Sequence, residues 1–180
     1  MAARDTRVGR ILLGTAEFLP LLAFVYAGRV ESGLSERFFW GAGVAVVIVP
    51  VLVALRWRLN PLLIAVNAWL CLEALTFLVQ IPMLTEVRRA LAESAFFLAM
   101  IVIGSGFIAL SERGLLAGPH EDRRQVRLYS LILMALVAGG LACSLAFRGN
   151  EMFAAVLPGT AIFVAQALMD ASLRDRSAPT

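Results

Sequence analysis

The chain has no lysine: all sixteen basic residues are arginine, and against thirteen acidic residues they leave a net charge of +3. A nucleic-acid-binding domain would gather such charge into a long stripe interleaved with aromatic residues. Here the arginines fall in short clusters between apolar runs, so nucleic-acid binding is not expected. Histidine occurs once, as His120, alone in a charged loop with no visible partners. It reads as a solvated side chain rather than a ligand or base. Cysteine occurs twice, and Cys71 and Cys143 each sit within an apolar run without a Cys-x-x-Cys spacing. They are expected to be small buried apolar residues, with no disulfide and no metal site. H-E-x-x-H, G-x-S-x-G and P-loop signatures are missing, as are paired histidines on an apolar run. Neither an enzyme nor a cofactor is expected from this pattern.

Charge of either sign is scarce as well. Charged residues make up 16% of the 180 and hydrophobic ones 60%, with a mean hydropathy of +0.82. The apolar residues lie in runs of about 17–22 between charge clusters, and a helix needs about 20 to cross the hydrocarbon core. The expected fold is therefore all-α: one polytopic membrane domain over residues 1–180, with about six transmembrane helices and membrane lipid as its surroundings. The spans are read at about 11–27, 38–55, 61–81, 91–110, 128–147 and 152–170. A membrane β-barrel would show short alternating segments, which this sequence lacks. Glu17 and Pro20 interrupt what would be the plain apolar core of a signal peptide, so the first segment is expected to be a retained span.

Local chemistry marks several boundaries. Asn60-Pro61 pairs an N-cap with a first-turn proline, which closes the second and third spans into a tight hairpin. In Arg148-Gly149-Asn150-Glu151, glycine can end one helix, asparagine cap the next, and the glutamate meet its positive end. Ser35 with Glu36 offers a third start signal.

Arginine is retained on the cytoplasmic side of a membrane more readily than it is translocated. With the N-terminus inside, Arg4, Arg7, Arg10, Arg56, Arg58, Arg113, Arg123, Arg124, Arg127, Arg174 and Arg176 lie on one side, and Arg29, Arg37, Arg88, Arg89 and Arg148 on the other. That asymmetry predicts both termini and the 111–127 segment in the cytoplasm. Tyr26 and Trp40 would mark one interface, Trp57 and Tyr129 the other. Residues 83–94 allow two accounts: a surface helix with positions 84, 87 and 91 on its apolar face, or a fourth span that Thr85 caps early and that emerges from the bilayer. The second, simpler account is the expectation.

Two carboxylates, Glu17 and Glu73, fall inside predicted spans, where lipid exposure would cost several kcal/mol. Glu73 lies about 18 Å from the start of its span, close to the midplane. Trp69 four residues before it and Thr76 and Gln80 three and seven after it share its helical face, so one face carries a polar stripe that cannot point at lipid. That face is either a proton or ligand site or a hydrogen-bonded structural contact between helices. Glu17 stands one turn before Pro20, whose missing N–H frees the carbonyl of Ala16.

In the fifth span Ala135, Gly139, Ala142 or Cys143, and Ala146 recur every three or four residues, a small-residue spacing that lets helix backbones approach. Pro20, Pro50 and Pro158 each fall within a span. Leu19-Pro20-x-x-Ala23 is echoed by Leu157-Pro158-x-x-Ala161, a pattern open to an inverted repeat of transporter type.

Three stretches in order carry a resemblance: Glu17-Phe18-Leu19-Pro20-Leu21-Leu22-Ala23-Phe24, the turn Arg56-Trp57-Arg58, and the run from Asn150 through Phe153 and Val156 to Pro158 and Gln166. Together they resemble the intracellular septation protein A family of bacterial inner-membrane proteins, of similar length and span number. Glu86, Arg88 and Arg89 stand where that family usually has lysines, and Gly149 where it often has an aromatic residue. The resemblance implies a scaffold in envelope maintenance and septation, in contact with division and cell-wall synthesis proteins, with no catalytic residues. The competing expectation is a small, dimeric, proton-coupled transporter that uses Glu73 and Glu17.

Overall fold

The structure, a computed structural model, describes residues 13–29, 33–91, 93–112, 114–116 and 122–176. His120, Arg113 and the arginines of the first ten positions lie outside the described residues. Every regular element among the described residues is helical: α1 (Leu19–Arg29), α2 (Leu34–Ala54), α3 (Pro61–Val79), α4 (Pro82–Leu91), α5 (Ser94–Leu110), α6 (Arg123–Ala146), a π-helical turn (Met152–Val156) and α7 (Leu157–Arg176). Helices α2, α3, α6 and the continuous stretch Met152–Leu173 are each long and apolar enough to cross a bilayer. The protein is an all-α, multi-pass membrane protein.

The ends of these helices follow from named side chains. Asn60 caps α3 as expected, its Oδ1 accepting the backbone N–H of Leu62 at 2.9 Å. Gly149 takes a left-handed conformation at φ +83°, and Asn150 starts the next helix, its Oδ1 accepting the Phe153 N–H at 3.4 Å and its carbonyl the N–H groups of Phe153 and Ala154. Asp122, not anticipated as a cap, accepts from the N–H groups of Arg124 and Gln125, so α6 begins five residues before the predicted span. Helix α2 likewise begins earlier than expected, with Gly33 at its N-cap and Glu36 in its first turn.

Two expectations are corrected. The first predicted span is interrupted: residues 13–16 are helical, Glu17 and Phe18 form a turn, and α1 starts at Leu19. Pro20 has no N–H to return to Ala16, and Phe18 N–H bonds the carbonyl of Thr15 instead, at 3.0 Å. Residues 82–91 are not the start of a longer fourth helix. They form α4, which ends before α5 begins at Ser94. Thr85 caps nothing: its hydroxyl donates to the carbonyl of Ile81 within α4's own first turns. Pro50, by contrast, sits inside an unbroken α2.

The chain divides into two compact units, the first drawn from Met1–Leu59 and Val66–Glu86, the second from Asn60–Ala65 and Val87–Thr180. The first unit packs α1, α2 and most of α3. Phe24, Phe38, Trp69 and Phe77 form its aromatic core, and Gly41 lets α2 come close to Phe24 and Leu70. In the second unit, Val126, Ser130, Leu133, Val137, Gly140 and Ser144 give α6 a buried stripe at alternating three- and four-residue spacing. Gly140 meets the ring of Phe97 and Gly159 the ring of Phe96, while the hydroxyls of Ser94 and Ser144 lie 3.3 Å apart.

Candidate functional site

Helix α3 is the most enclosed of the four long apolar helices: 56% of its apolar stretch is buried, against 22–28% for the other three. Its buried polar residues are Asn67, Glu73 and Thr76, with Trp69 beside them. Trp69, Glu73 and Phe77 fall at i, i+4 and i+8, on one face. The Trp69 ring lies 5.2 Å from that of Phe38 and 5.9 Å from that of Phe24, and the Phe77 ring lies 5.8 Å from Phe38. Phe24 and Phe38 in turn stack at 4.9 Å. Aromatic rings from α1 and α2 thus cover the face above and below Glu73, whose side chain is only 6% exposed.

The anticipated polar stripe is shorter than its spacing suggested. Thr76 is buried, and its hydroxyl donates to the backbone carbonyl of Glu73 at 2.7 Å. Gln80 is exposed, beyond the end of α3, at φ +50°. Two polar residues that the stripe did not include lie in the same unit, Asn67 buried and Arg37 half-buried. Asn67 Oδ1 has no hydrogen-bond partner among the described residues. Arg37, expected only as a charge outside the membrane, has its guanidinium 4.7 Å over the Phe24 ring. Gly28 makes room for it, since a Cβ there would stand 2.7 Å from Arg37 Nε.

Glu17 lies in the turn that breaks the first span and is 6% exposed. The indole Nε1–H of Trp57 donates to its carboxylate. Trp57 reaches it because α2 ends in a tight turn: Arg56 is left-handed at φ +53°, and Trp57 N–H bonds the carbonyl of Leu52. Trp57, expected at a bilayer interface, is half-buried and turns its indole N–H onto Glu17. No spacing rule joins residues forty positions apart, so this pair was not legible in the sequence.

A third polar cluster lies in the second unit and holds no titratable group. The amides of Asn60 and Gln166 bond each other reciprocally at 2.8 and 2.9 Å. Gln166 also donates to the carbonyl of Leu115, whose N–H bonds Ser130 Oγ at 3.0 Å. Both backbone groups of the fully buried Leu115 are thereby satisfied by side chains of α6 and α7. Gly114, at φ +54°, has room for no Cβ: one would stand 2.1 Å from Ser130 Oγ. This cluster ties a loop to the bundle and offers no proton chemistry.

The small-residue stripe of the fifth span makes no close helix contact among the described residues of this chain. Ala135, Gly139, Cys143 and Ala146 are exposed, and nothing lies within 4 Å of a Cβ placed at Gly139. Packing within the chain uses the neighbouring face, through Gly140. Cys143 is exposed and Cys71 partly so, rather than buried as expected. Among the described residues, no group of three or more His, Cys, Asp or Glu side chains converges to hold a metal ion.

Comparison with protein-family models, with curated proteins and with solved structures gives no match.

Proposed function

We propose that this protein is a scaffold of the bacterial inner membrane that serves envelope maintenance and septation through contacts with division and cell-wall synthesis proteins. Both termini and the 111–127 segment face the cytoplasm in this reading, in accord with the arginine asymmetry. One observation favours a scaffold over a transporter: the Glu73 face is filled by the packed rings of Phe24, Phe38, Trp69 and Phe77. A proton-coupled site needs water at its carboxylate in at least one state, whereas a structural carboxylic group needs only partners and close packing. The sequence resemblance supplies the choice of septation.

The test is complementation of a deletion strain. Loss of the gene is expected to disturb division or to sensitise cells to envelope stress, and Glu73→Gln, which keeps shape and hydrogen bonding but cannot release a proton, should restore the wild-type phenotype. A Glu73→Gln protein that is well expressed and folded yet inactive would replace this reading with proton-coupled transport.

A further inference from the structure

Helix α4 differs from every other helix described. Met83, Leu84, Val87 and Leu91 fall within one 100° sector of it, and Thr85, Glu86, Arg88 and Arg89 occupy the opposite side. In a soluble protein such a face would rest on a core, yet none of α4's residues is buried: Met83 is 69% and Val87 46% exposed. An isolated helix of ten residues is not stable in water, so something must cover that face.

The covering surface is set by how α4 is tethered. It follows α3 after two residues, Gln80 and Ile81, and precedes α5 by two. Gln80 in the left-handed conformation and Pro82 at the first helical position turn the chain sharply as α3 ends. Leu75, Leu78 and Val79 at that end of α3 are exposed apolar side chains, as is Ile81 in the link. On a membrane-spanning helix those side chains meet lipid, and Met83 and Val87, which follow them along the chain, are exposed apolar side chains too. Short links at both ends keep α4 at the level where the hydrocarbon core gives way to water.

We infer that α4 is an interfacial helix, lying along the bilayer surface with Met83, Leu84, Val87 and Leu91 in the acyl boundary and Glu86 and Arg89 in the headgroup water. Its occupant is lipid.

Nitroxide accessibility tests this on the full chain. Cysteines are placed singly at Met83, Val87, Glu86 and Arg89 in a Cys71→Ser, Cys143→Ser background, spin-labelled, and reconstituted in phosphatidylcholine–phosphatidylglycerol vesicles. The ratio of oxygen to nickel-chelate accessibility should be at least roughly threefold higher at 83 and 87 than at 86 and 89, because oxygen concentrates in the acyl region and the chelate stays in water. All four positions are exposed in this structure or lie on the helix surface, and Leu84 and Leu91 provide a second apolar pair should one label disturb the helix. High nickel accessibility at all four positions would place the helix in water. Exclusion of both reagents from 83 and 87 would mean that protein covers the face, a second copy included. Either result overturns the inference.

Discussion

Helices α3 and α6 are equally hydropathic, yet α3 is twice as enclosed. The difference lies in what each carries on its faces. Helix α3 holds Asn67, Glu73 and Thr76, and all three are buried; α6 holds Ala135, Gly139, Cys143 and Ala146, and all four face outward. A carboxylate or amide against hydrocarbon costs several kcal/mol, so a polar residue in a span reliably turns toward protein. A glycine or alanine against hydrocarbon costs almost nothing. Small residues permit close packing, but they do not demand it.

The comparison can be broken first at the close contact α6 does make. Gly140→Val puts methyl groups where a single Cβ already stands 2.6 Å from the fully buried Phe97 ring. Overpacking there should destabilise by about 3 kcal/mol, read from unfolding in detergent. Next in size is Glu73→Ala on α3, which removes a buried polar group from its partners and should cost about 2 kcal/mol in the same measurement. A loss below about 0.5 kcal/mol would mean that burial of Glu73 does not reflect a satisfied polar contact. The smallest effect is expected one residue from the largest. Gly139→Val meets open space and should change stability by less than about 0.5 kcal/mol. If Gly139→Val destabilised as much as Gly140→Val, the outward face of α6 would be packed against another chain.

The same contrast explains which features could be read from the sequence. Asn60 and Gly149–Asn150 were legible because a cap acts on backbone groups two or three residues away, within reach of local pattern. Burial of Glu73 was legible from the cost of the alternative. The separate α4 was less so: Thr85 is an acceptable N-cap by type, and only the turn at Gln80 and Pro82 moves the helix start upstream of it. The break at Glu17 came from Pro20, but Pro50 leaves α2 intact, so proline alone does not predict interruption. The Trp57–Glu17 and Asn60–Gln166 pairs depend on tertiary placement across 40 and 106 residues, which no local rule supplies.

The account rests most heavily on the claim that the polar face of α3 is closed to water. Thr76→Cys tests this most directly, because it keeps Glu73 and places a thiol of similar size one turn away, at a site now 8% exposed. In membrane vesicles, with Cys71 and Cys143 replaced by serine, a small water-soluble maleimide should leave Thr76→Cys unmodified over a period that fully labels a cysteine at the exposed Glu112. Labelling of Thr76→Cys at a rate comparable to that of the loop position would show a water path to the Glu73 face and contradict the scaffold reading.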